Sequence, residues 1–202
     1  MVRTVRLTGM DSLIRPDPWH KLAALTPARI ALGRAGCSLP TRAVLEFDLA
    51  HALARDAVHQ PLDLADLAAH WRAAGGGEAL AVRSRARDRL TYLQRPDLGR
   101  RLDKDSADCL AAKAGNDDLA IVLADGLSAP AVQRHALPLV HSLLPLLEGL
   151  RVAPLVLAEQ GRVALGDEIG ALLRVRLLLI LLGERPGLSA PDSLGAYLTF
   201  AP

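Results

Sequence analysis

Beyond the triple glycine Gly75-Gly76-Gly77, short apolar runs alternate with longer segments whose apolar residues recur at helical spacing. The apolar runs are the predicted strands, at Leu80–Val82, Leu119–Ala124, Val152–Ala158 and Leu177–Leu182. The predicted helices between them are Ser84–Leu93, Ser128–Leu147 and Val163–Leu173. Strands this apolar are typically buried on both faces, as in a parallel sheet covered by helices. The connections fit right-handed crossovers, so the pattern predicts a doubly wound α/β fold with a mostly parallel sheet.

The chain before the triple glycine has a different pattern, which predicts a helical N-terminal arm. Thr41 is the predicted N-cap of an amphipathic helix that extends to Val58, with apolar residues at Val44, Phe47, Leu49, Leu53, Ala57 and Val58. A second helix is predicted over Leu62–Trp71. We therefore divide the chain into an arm, residues 1–75, and an α/β domain, residues 76–202.

Two prolines lie inside the longest predicted helix. Neither Pro138 nor Pro145 has a backbone N–H, and each ring crowds the preceding turn. We expect either a kink or two shorter helices over this segment.

Composition narrows the class of protein. Half of the 202 residues are hydrophobic but only 3% are aromatic, so the chain has the material for a core that must be aliphatic. A net charge of +2 is too close to neutral to indicate nucleic-acid binding. Two cysteines, Cys37 and Cys109, do not make a disulfide framework, which favours a reducing compartment.

Membrane and export signals are not evident in the sequence. The longest apolar run, Leu177–Leu182, is far shorter than the ~20 residues of a membrane-spanning helix. The first residues carry charges and lack the apolar region of a secretory signal. These features predict a cytoplasmic protein.

The loops after the predicted strands are the candidate binding region, because ligands of open α/β sheets bind beyond the carboxyl ends of the strands. Asp125 and Gly126 follow one strand, and Ser128 is the predicted N-cap of the next helix. The segment Glu159–Val163 follows another strand. Gly183–Ser193 follows the most apolar strand and is dense in turn residues, with Glu184 as a hydrogen-bond acceptor.

Each of these residues also has a structural interpretation. A carboxylate after a strand, such as Asp125, is more often a cap or turn residue than a ligand contact. Glu184 is next to Arg185 and would form a surface ion pair of little energetic weight. From its type alone, Val163 is expected to be a helix residue that packs on the sheet.

Other candidate groups carry weaker signals, and the sequence contains none of the common catalytic or phosphate-binding motifs. His51 and His59 are eight positions apart, whereas a metal pair on a helix prefers three or four, so we expect partly exposed helix histidines. His135 and His141 are expected to be packing or interface residues. An arginine-rich segment from Arg83 to Arg101 is interleaved with aspartates, which favours a salt-bridged or partner-facing surface over a phosphate site.

Several segments carry a more specific signal when they are taken together, in order and with their spacing. They are Thr26–Gly36, Ser38–Thr41, Leu49–Ala52, Ala54–His59, Tyr92–Leu102, Asp118–Ser128, Gly161–Asp167, Gly183–Ser189 and Pro191–Thr199. Together they resemble the small (light) subunit of ethanolamine ammonia-lyase. The resemblance extends from about Leu22 to the last residue.

This resemblance implies a Rossmann-like small subunit of a carbon–nitrogen lyase that depends on adenosylcobalamin. The family deaminates ethanolamine, a vicinal amino alcohol, to acetaldehyde and ammonia in a higher hetero-oligomer, sometimes inside a bacterial microcompartment. A large TIM-barrel subunit binds ethanolamine and holds most of the residues that act on it. The small subunit is not active alone, and it covers the cobalamin at the subunit interface, so residues 1–75 would contact the partner and 76–202 would bind the cofactor.

The resemblance assigns two cobalamin contacts in this chain. One is Val163 in the Gly-Arg-Val stretch, and the other is Glu184 in the Gly-Glu-Arg-Pro-Gly loop. No catalytic residue and no metal ligand are expected here, since family members resemble base-on binders whose cofactor keeps its own lower ligand. The cofactor carries the difficult chemistry, which agrees with the lack of catalytic motifs.

The sequence departs from the family pattern in two places. A third family contact, a cysteine in an Arg-Asn-Cys segment, lies downstream of Tyr197–Pro202, so the family comparison predicts a C-terminally truncated chain. Arg174 stands where the family more usually has glycine between helix and strand, and we expect a strained or altered turn that costs ~1 kcal/mol. Two alternatives stay open: a truncated remnant that only binds the large subunit or cobalamin, and an unrelated nucleotide-binding module.

Overall fold

A computed structural model describes residues 13–202, and the first residues of the chain lie outside this range. The helices are α1 (Thr41–His59), α2 (Leu64–Ala73), α3 (Arg89–Gln94), α4 (Lys104–Ala112), α5 (Ala129–Leu143) and α6 (Leu165–Leu173). The strands are β1 (Ala79–Arg83), β2 (Leu119–Ala124), β3 (Leu155–Glu159), β4 (Leu177–Gly183) and β5 (Leu194–Phe200). Short 3₁₀ turns occupy His20–Leu25, Leu98–Arg100 and Leu144–Leu147.

The strands form one five-stranded sheet in the order β1-β3-β2-β4-β5. The first four are parallel, and β5 is antiparallel to β4. Central strand β2 is buried at every position, which explains its continuous apolar run. The prediction of a doubly wound α/β fold with a mostly parallel sheet is confirmed, and the architecture is Rossmann-like.

Helices cover both faces of this sheet. On one face α5 and α2 pack against β2, β3 and β4 through residues that include Val132, Val140 and Leu67. On the other face α6 and α4 pack through residues that include Ile169 and Leu110. Nearly all of these contacts are aliphatic, as the composition predicts.

Two elements were not predicted from the apolar pattern. Strand β5 lies at the sheet edge, where its residues are partly or largely exposed, so it lacks a continuous apolar run. Helix α4 is short and mostly exposed, and only Ser106 and Leu110 in it are buried. Its start does carry a signal, because the Asp103 side chain accepts a hydrogen bond from the Ser106 N–H.

Two predicted boundaries are wrong by several residues. The strand predicted from Val152 begins at Leu155, because Pro154 has no N–H for the sheet and Val152 makes only an isolated bridge to Leu119. The helix predicted from Ser84 begins at Arg89. Asp88 caps its start, and Ser84 instead bridges to Leu102.

The long helix predicted over Ser128–Leu147 is an α-helix followed by a 3₁₀ turn. Ser128 is the N-cap as predicted, since its side chain accepts from the Ala131 N–H. Pro138 lies inside α5, and Pro145 lies in the 3₁₀ turn Leu144–Leu147 that follows it. The expected interruption therefore falls at the second proline, where α5 ends.

Helix α6 begins at Leu165, two residues later than predicted. Val163 consequently lies in the turn before α6, so its interpretation as a helix residue is wrong. Its half-buried side chain nevertheless packs against the core on this face of the sheet, as expected.

The described chain separates into two compact units, one ending at Leu53 and one from Ala54 to Pro202. In the first unit, Thr41 is the first helical residue of α1 rather than its cap, and Val44, Phe47, Leu49 and Leu53 are exposed. In the second unit, α2 begins at Leu64 rather than Leu62, because the Asp63 side chain caps it by accepting from the Asp66 N–H. The boundary between arm and α/β domain near residue 75 stays a prediction.

No helix within residues 13–202 is long and apolar enough to cross a membrane.

Arg174 ends α6 in the left-handed region, with φ 59° and ψ 35°. Its N–H donates to the carbonyls of Ala171 and Gly170, which closes the helix. Because a Cβ is unfavourable in this region, Arg174→Gly is expected to raise the free energy of unfolding by about 1 kcal/mol. Chemical denaturation of the full chain measures it, with Arg174→Ala as the control that keeps the Cβ. A glycine variant no more stable than the alanine variant would contradict the assignment.

Candidate functional site

The strand order creates a crevice at the carboxyl edge of the sheet. The chain leaves β2 into α5 on one face and leaves β3 into α6 on the other, although β2 and β3 are neighbours. The two connections diverge at this point, which is where ligands of doubly wound folds bind. The loops after β2, β3 and β4, predicted as the binding region, meet at this edge.

Asp125 lies at the end of β2 and is 1% exposed. Its Oδ2 is 3.2 Å from the Arg89 Nη1, and its Oδ1 accepts from the Gly161 N–H at 3.0 Å. Burial raises the pKa of Asp125 to about 6, and the Arg89 guanidinium and neighbouring backbone N–H groups oppose the rise. The structural interpretation of Asp125 is thus supported, although it joins two loops rather than capping one.

Tyr92 on α3 is fully buried beneath the same edge. Its hydroxyl donates to the Gly161 carbonyl at 2.9 Å, and burial raises its pKa. The guanidinium groups of Arg89 and Arg162 lie 4.9 and 4.3 Å from the centre of its ring. Within the described chain, the Arg89 Nη2 and Arg162 Nε are buried without a hydrogen-bond partner, and the aromatic face compensates part of that loss.

Val163 lies in the turn between β3 and α6. Its carbonyl accepts from the Gly166 N–H at 3.0 Å, which starts the helix. Among residues 13–202, no acceptor pairs with the N–H of Val163 or Ala164, and Ala164 provides no side-chain cap for α6. These N–H groups are donors that a bound ligand can use.

Glu184 directly follows β4 and is half-buried. Its Oε1 accepts from the Tyr197 hydroxyl on β5 at 2.5 Å, which raises the pKa of Tyr197. No ion pair between Glu184 and Arg185 is present in the described chain, so the surface-pair interpretation is wrong. The second carboxylate oxygen has no partner there and is available to a ligand.

Glycine at position 195 permits this placement of Glu184. A Cβ at Gly195 would lie 2.1 Å from the Glu184 Oε1, well inside contact distance. Tyr197 and Gly195 together orient the carboxylate along β5. Neither was identified as functional from the sequence, because β5 itself was not predicted.

The loops after β2 and β4 pack against each other through two glycines. The Leu127 N–H donates to the Gly183 carbonyl at 2.8 Å, and a Cβ at Gly126 would lie 2.2 Å from that same carbonyl oxygen. The Ser128 hydroxyl also donates to the Pro191 carbonyl at 2.8 Å. The three loops therefore form one connected edge.

The two predicted contact residues lie on either side of β2. Val163 follows β3 and Glu184 follows β4, so their strands are two spacings apart, or about 10 Å. That separation suits a ligand broader than a nucleotide base. The structure thus places both residues on one edge but does not bring them into contact.

The family model described as ethanolamine ammonia-lyase light chain matches residues 16–202. The chain belongs to this family. Relatives named ethanolamine ammonia-lyase small subunit include that of Azotobacter vinelandii, 62% identical over 192 residues, which cover 92% of this chain and 71% of the relative. That of Pseudomonas paraeruginosa is 59% identical over 192 residues, with 92% and 70% covered. That of Ralstonia nicotianae is 57% identical over 198 residues, with 94% and 72% covered.

Three of the seven arginines from Arg83 to Arg101 in this family member form ion pairs, so the prediction of a salt-bridged surface holds for part of the segment. Arg83 pairs with Asp103 at 2.7 Å, and Arg95 pairs with Asp97 at 2.7 Å. The Arg85 Nε donates to the Leu102 carbonyl at 3.2 Å. Arg89 is the arginine of this segment that pairs with Asp125 after β2, and the sequence did not distinguish it from its neighbours.

Among the described residues, the histidines and cysteines form no ion pair or ring contact with Asp125, Val163 or Glu184. His51 and His59 are exposed on α1, and Cys37 and Cys109 are exposed thiols. His135 contacts Asp192 at 3.2 Å. His141 stacks on Trp71, with ring centres 5.5 Å apart, so it is a packing residue. Within residues 13–202, no group of three or more His, Cys, Asp or Glu side chains is placed to hold a metal ion.

A cavity of about 380 Å³ lies at the opposite, amino edge of the sheet, beside Trp71 and Gly75–Glu78.

Proposed function

We propose that this chain is the small subunit of an adenosylcobalamin-dependent ethanolamine ammonia-lyase. With a large catalytic subunit, the enzyme deaminates ethanolamine and related vicinal amino alcohols to acetaldehyde and ammonia. The observation that carries the proposal is the family match over residues 16–202, which contains both residues that the resemblance assigns to the cofactor. Their common position at the carboxyl edge supports it.

The groups at this edge fit the periphery of a corrin, which presents primary amides that both donate and accept hydrogen bonds. The N–H groups of Val163 and Ala164 offer donors, and the unpartnered oxygen of Glu184 offers an acceptor. The separation of about 10 Å between the two strands lets them reach different sides of a ring of that size. Val163 also presents an apolar surface beside the core.

Adenosylcobalamin, when bound, supplies the cobalt–carbon bond whose homolysis starts radical chemistry. In our proposal this chain binds and orients the base-on cofactor and excludes water from one side. It contributes neither a cobalt ligand nor a catalytic residue. Ethanolamine and the residues that act on it belong to the large subunit, a TIM barrel.

The N-terminal unit supports a partner-binding role. Leu45, Leu49 and Leu53 follow one another at intervals of four on α1, and their side chains are 61%, 62% and 50% exposed. A row of exposed leucines is an apolar stripe that a second surface would bury. The names of the relatives, which specify a small subunit, support a large subunit as that partner in a higher hetero-oligomer.

We place the enzyme in the cytoplasm, either free or inside a bacterial microcompartment, in the manner of its family. This placement rests on the family resemblance.

The proposal is tested by co-expressing this chain with an ethanolamine ammonia-lyase large subunit and assaying acetaldehyde formation from ethanolamine. We expect a co-purifying complex with activity that requires adenosylcobalamin, and no activity from either chain alone. The control is the large subunit co-expressed with Glu184→Ala. A complex that forms but shows no turnover at saturating cofactor would contradict the proposal and favour a remnant that only binds its partner.

A further inference from the structure

The ion pair between Arg89 and Asp125 is buried, which makes its stabilising value doubtful. Asp125 is 1% exposed, and the side chain of Arg89 is 13% exposed. The desolvation free energy of two buried charges is often as large as the free energy gained from their attraction. Buried ion pairs therefore commonly contribute little to net stability. The position of this pair in the fold offers a better explanation for its presence.

One guanidinium group reaches two of the loops at the carboxyl edge. The Arg89 Nη1 donates to the Gly126 carbonyl at 2.9 Å in the loop after β2, and to the Gln160 Oε1 at 3.4 Å in the loop after β3. Its Nε donates to the Val58 carbonyl at 2.6 Å, which anchors the side chain from behind. Arg89 thereby ties the two diverging connections together.

Asp125 holds the same loops from the opposite side. Its Oδ1 accepts from the N–H of Gly161, and the carbonyl of Gly161 accepts from the Tyr92 hydroxyl. Gly161 is two residues before Val163, so both polar groups of this glycine are fixed immediately upstream of a proposed cofactor contact. A shift of Asp125 would move that turn.

The loop after β4 is coupled to the same pair by close packing. The carbonyl of Gly183 accepts from the Leu127 N–H, and the space around Gly126 and Gly183 is too small for a Cβ at either position. Glu184 follows Gly183 directly. Movement of the loop that begins at Asp125 is therefore transmitted to the residue before Glu184.

We propose that Arg89 and Asp125 are positioning residues, whose ion pair sets the relative placement of the three loops and hence of Val163 and Glu184. In this proposal Arg89 and Asp125 do not contact the cofactor themselves. They hold the backbone of the loops whose residues contact it. The predicted change in cofactor affinity rests on the function proposed above. The predicted effect of the ion pair on loop geometry does not depend on that function.

The ionisation of Asp125 supports this role. Burial raises its pKa to about 6, and the other charged or titratable groups facing it are Arg89 and Tyr92 on α3. As pH falls through 6, Asp125 takes up a proton and its attraction to Arg89 is lost. We therefore expect cofactor affinity to fall below pH 6 in the native complex.

The test compares Asp125→Asn, Arg89→Met, Arg89→Lys and the Asp125→Asn/Arg89→Met double variant, each in the co-expressed complex titrated with adenosylcobalamin. The asparagine has the size of aspartate but places an NH₂ donor or a neutral oxygen against Arg89. We expect each of Asp125→Asn and Arg89→Met to raise the Kd about tenfold, and the double variant to raise it no further, because the two residues act as one unit. Arg89→Lys keeps the charge and should recover part of the affinity.

The pH dependence of the affinity is a separate readout. In Asp125→Asn the affinity for adenosylcobalamin should no longer decline below pH 6, because the asparagine does not titrate.

Val140→Ala is the matched control, since Val140 is fully buried on α5 about 16 Å along the helix from its start. It should lower the Tm but leave the Kd unchanged. Equal loss of affinity in Val140→Ala and Asp125→Asn, or additive effects in the double variant, would overturn the positioning role. If the native complex bound no adenosylcobalamin, the proposed function would fail instead. Amide exchange of the full chain then decides the positioning role: Asp125→Asn must speed exchange at Gly161 and Leu127, and unchanged rates would refute it.

Discussion

Gly183→Ala is expected to lower the free energy of unfolding by about 3 kcal/mol, the upper part of the usual cost of overpacking. The added Cβ would lie 2.1 Å from the Ser128 carbonyl oxygen and 2.5 Å from that of Asp125. Both atoms belong to the backbone, so neither can rotate away as a side chain would. For a chain of this size the loss corresponds to a fall in Tm of roughly 6–12 °C, measurable by thermal unfolding of the full chain.

Gly187→Ala is the matched control in the same loop. A Cβ there would meet its nearest atoms at 3.7 and 4.0 Å, which is ordinary contact. Its Tm should stay within a few degrees of the native value. If Gly183→Ala were as stable as Gly187→Ala, that result would contradict the close packing assigned to the loops after β2 and β4.

Glu184→Ala is expected to raise the Kd of the co-expressed complex for adenosylcobalamin about 10- to 100-fold. A hydrogen bond to a charged acceptor contributes about 1.5–3 kcal/mol, and Glu184 has an oxygen free to make one. The Tm should change little, because the side chain is only half-buried. Equilibrium titration followed by absorbance of the cofactor measures the change.

Glu148→Ala is the control for Glu184, since Glu148 is an exposed carboxylate near the amino edge of the sheet. Its Kd should equal the native value. Tyr197→Phe provides an intermediate case, because it releases the Glu184 Oε1 but leaves the carboxylate in place. We expect a smaller increase in Kd, of about threefold. Native affinity in Glu184→Ala would remove this residue from the proposed site.

Much of the α/β fold is predictable from the apolar pattern, for a clear reason. Parallel strands such as β2 and β4 are covered by helices on both faces, so nearly every position along them is apolar. The pattern fails at β5 and α4, whose residues face water on one or more sides. For such elements the pattern of hydrophobic residues does not predict secondary structure. Prediction then depends on local signals such as the helix cap at Asp103.

The candidate site is predictable only in outline. The rule that ligands bind beyond the strand ends selected the loops that contain Asp125, Val163 and Glu184. Arg89 and Tyr92 were not selected, because they come from α3, which is 33 to 95 positions away from those residues along the chain. The arrangement of these side chains depends on strand order, which the apolar pattern does not encode.

By itself, the sequence determines the family of this protein, its doubly wound α/β class, and the loops that can hold a ligand. These properties follow from local composition and from motifs that keep their order and spacing. The tertiary structure alone decides that Arg89 pairs with Asp125 and that Tyr197 and Gly195 orient Glu184. Each of these depends on atoms from distant segments. Charged and polar side chains that are buried at the carboxyl edge need hydrogen-bond or ion-pair partners from the protein, because water does not reach them. The order of strands in the sheet determines which residues are close enough to be those partners.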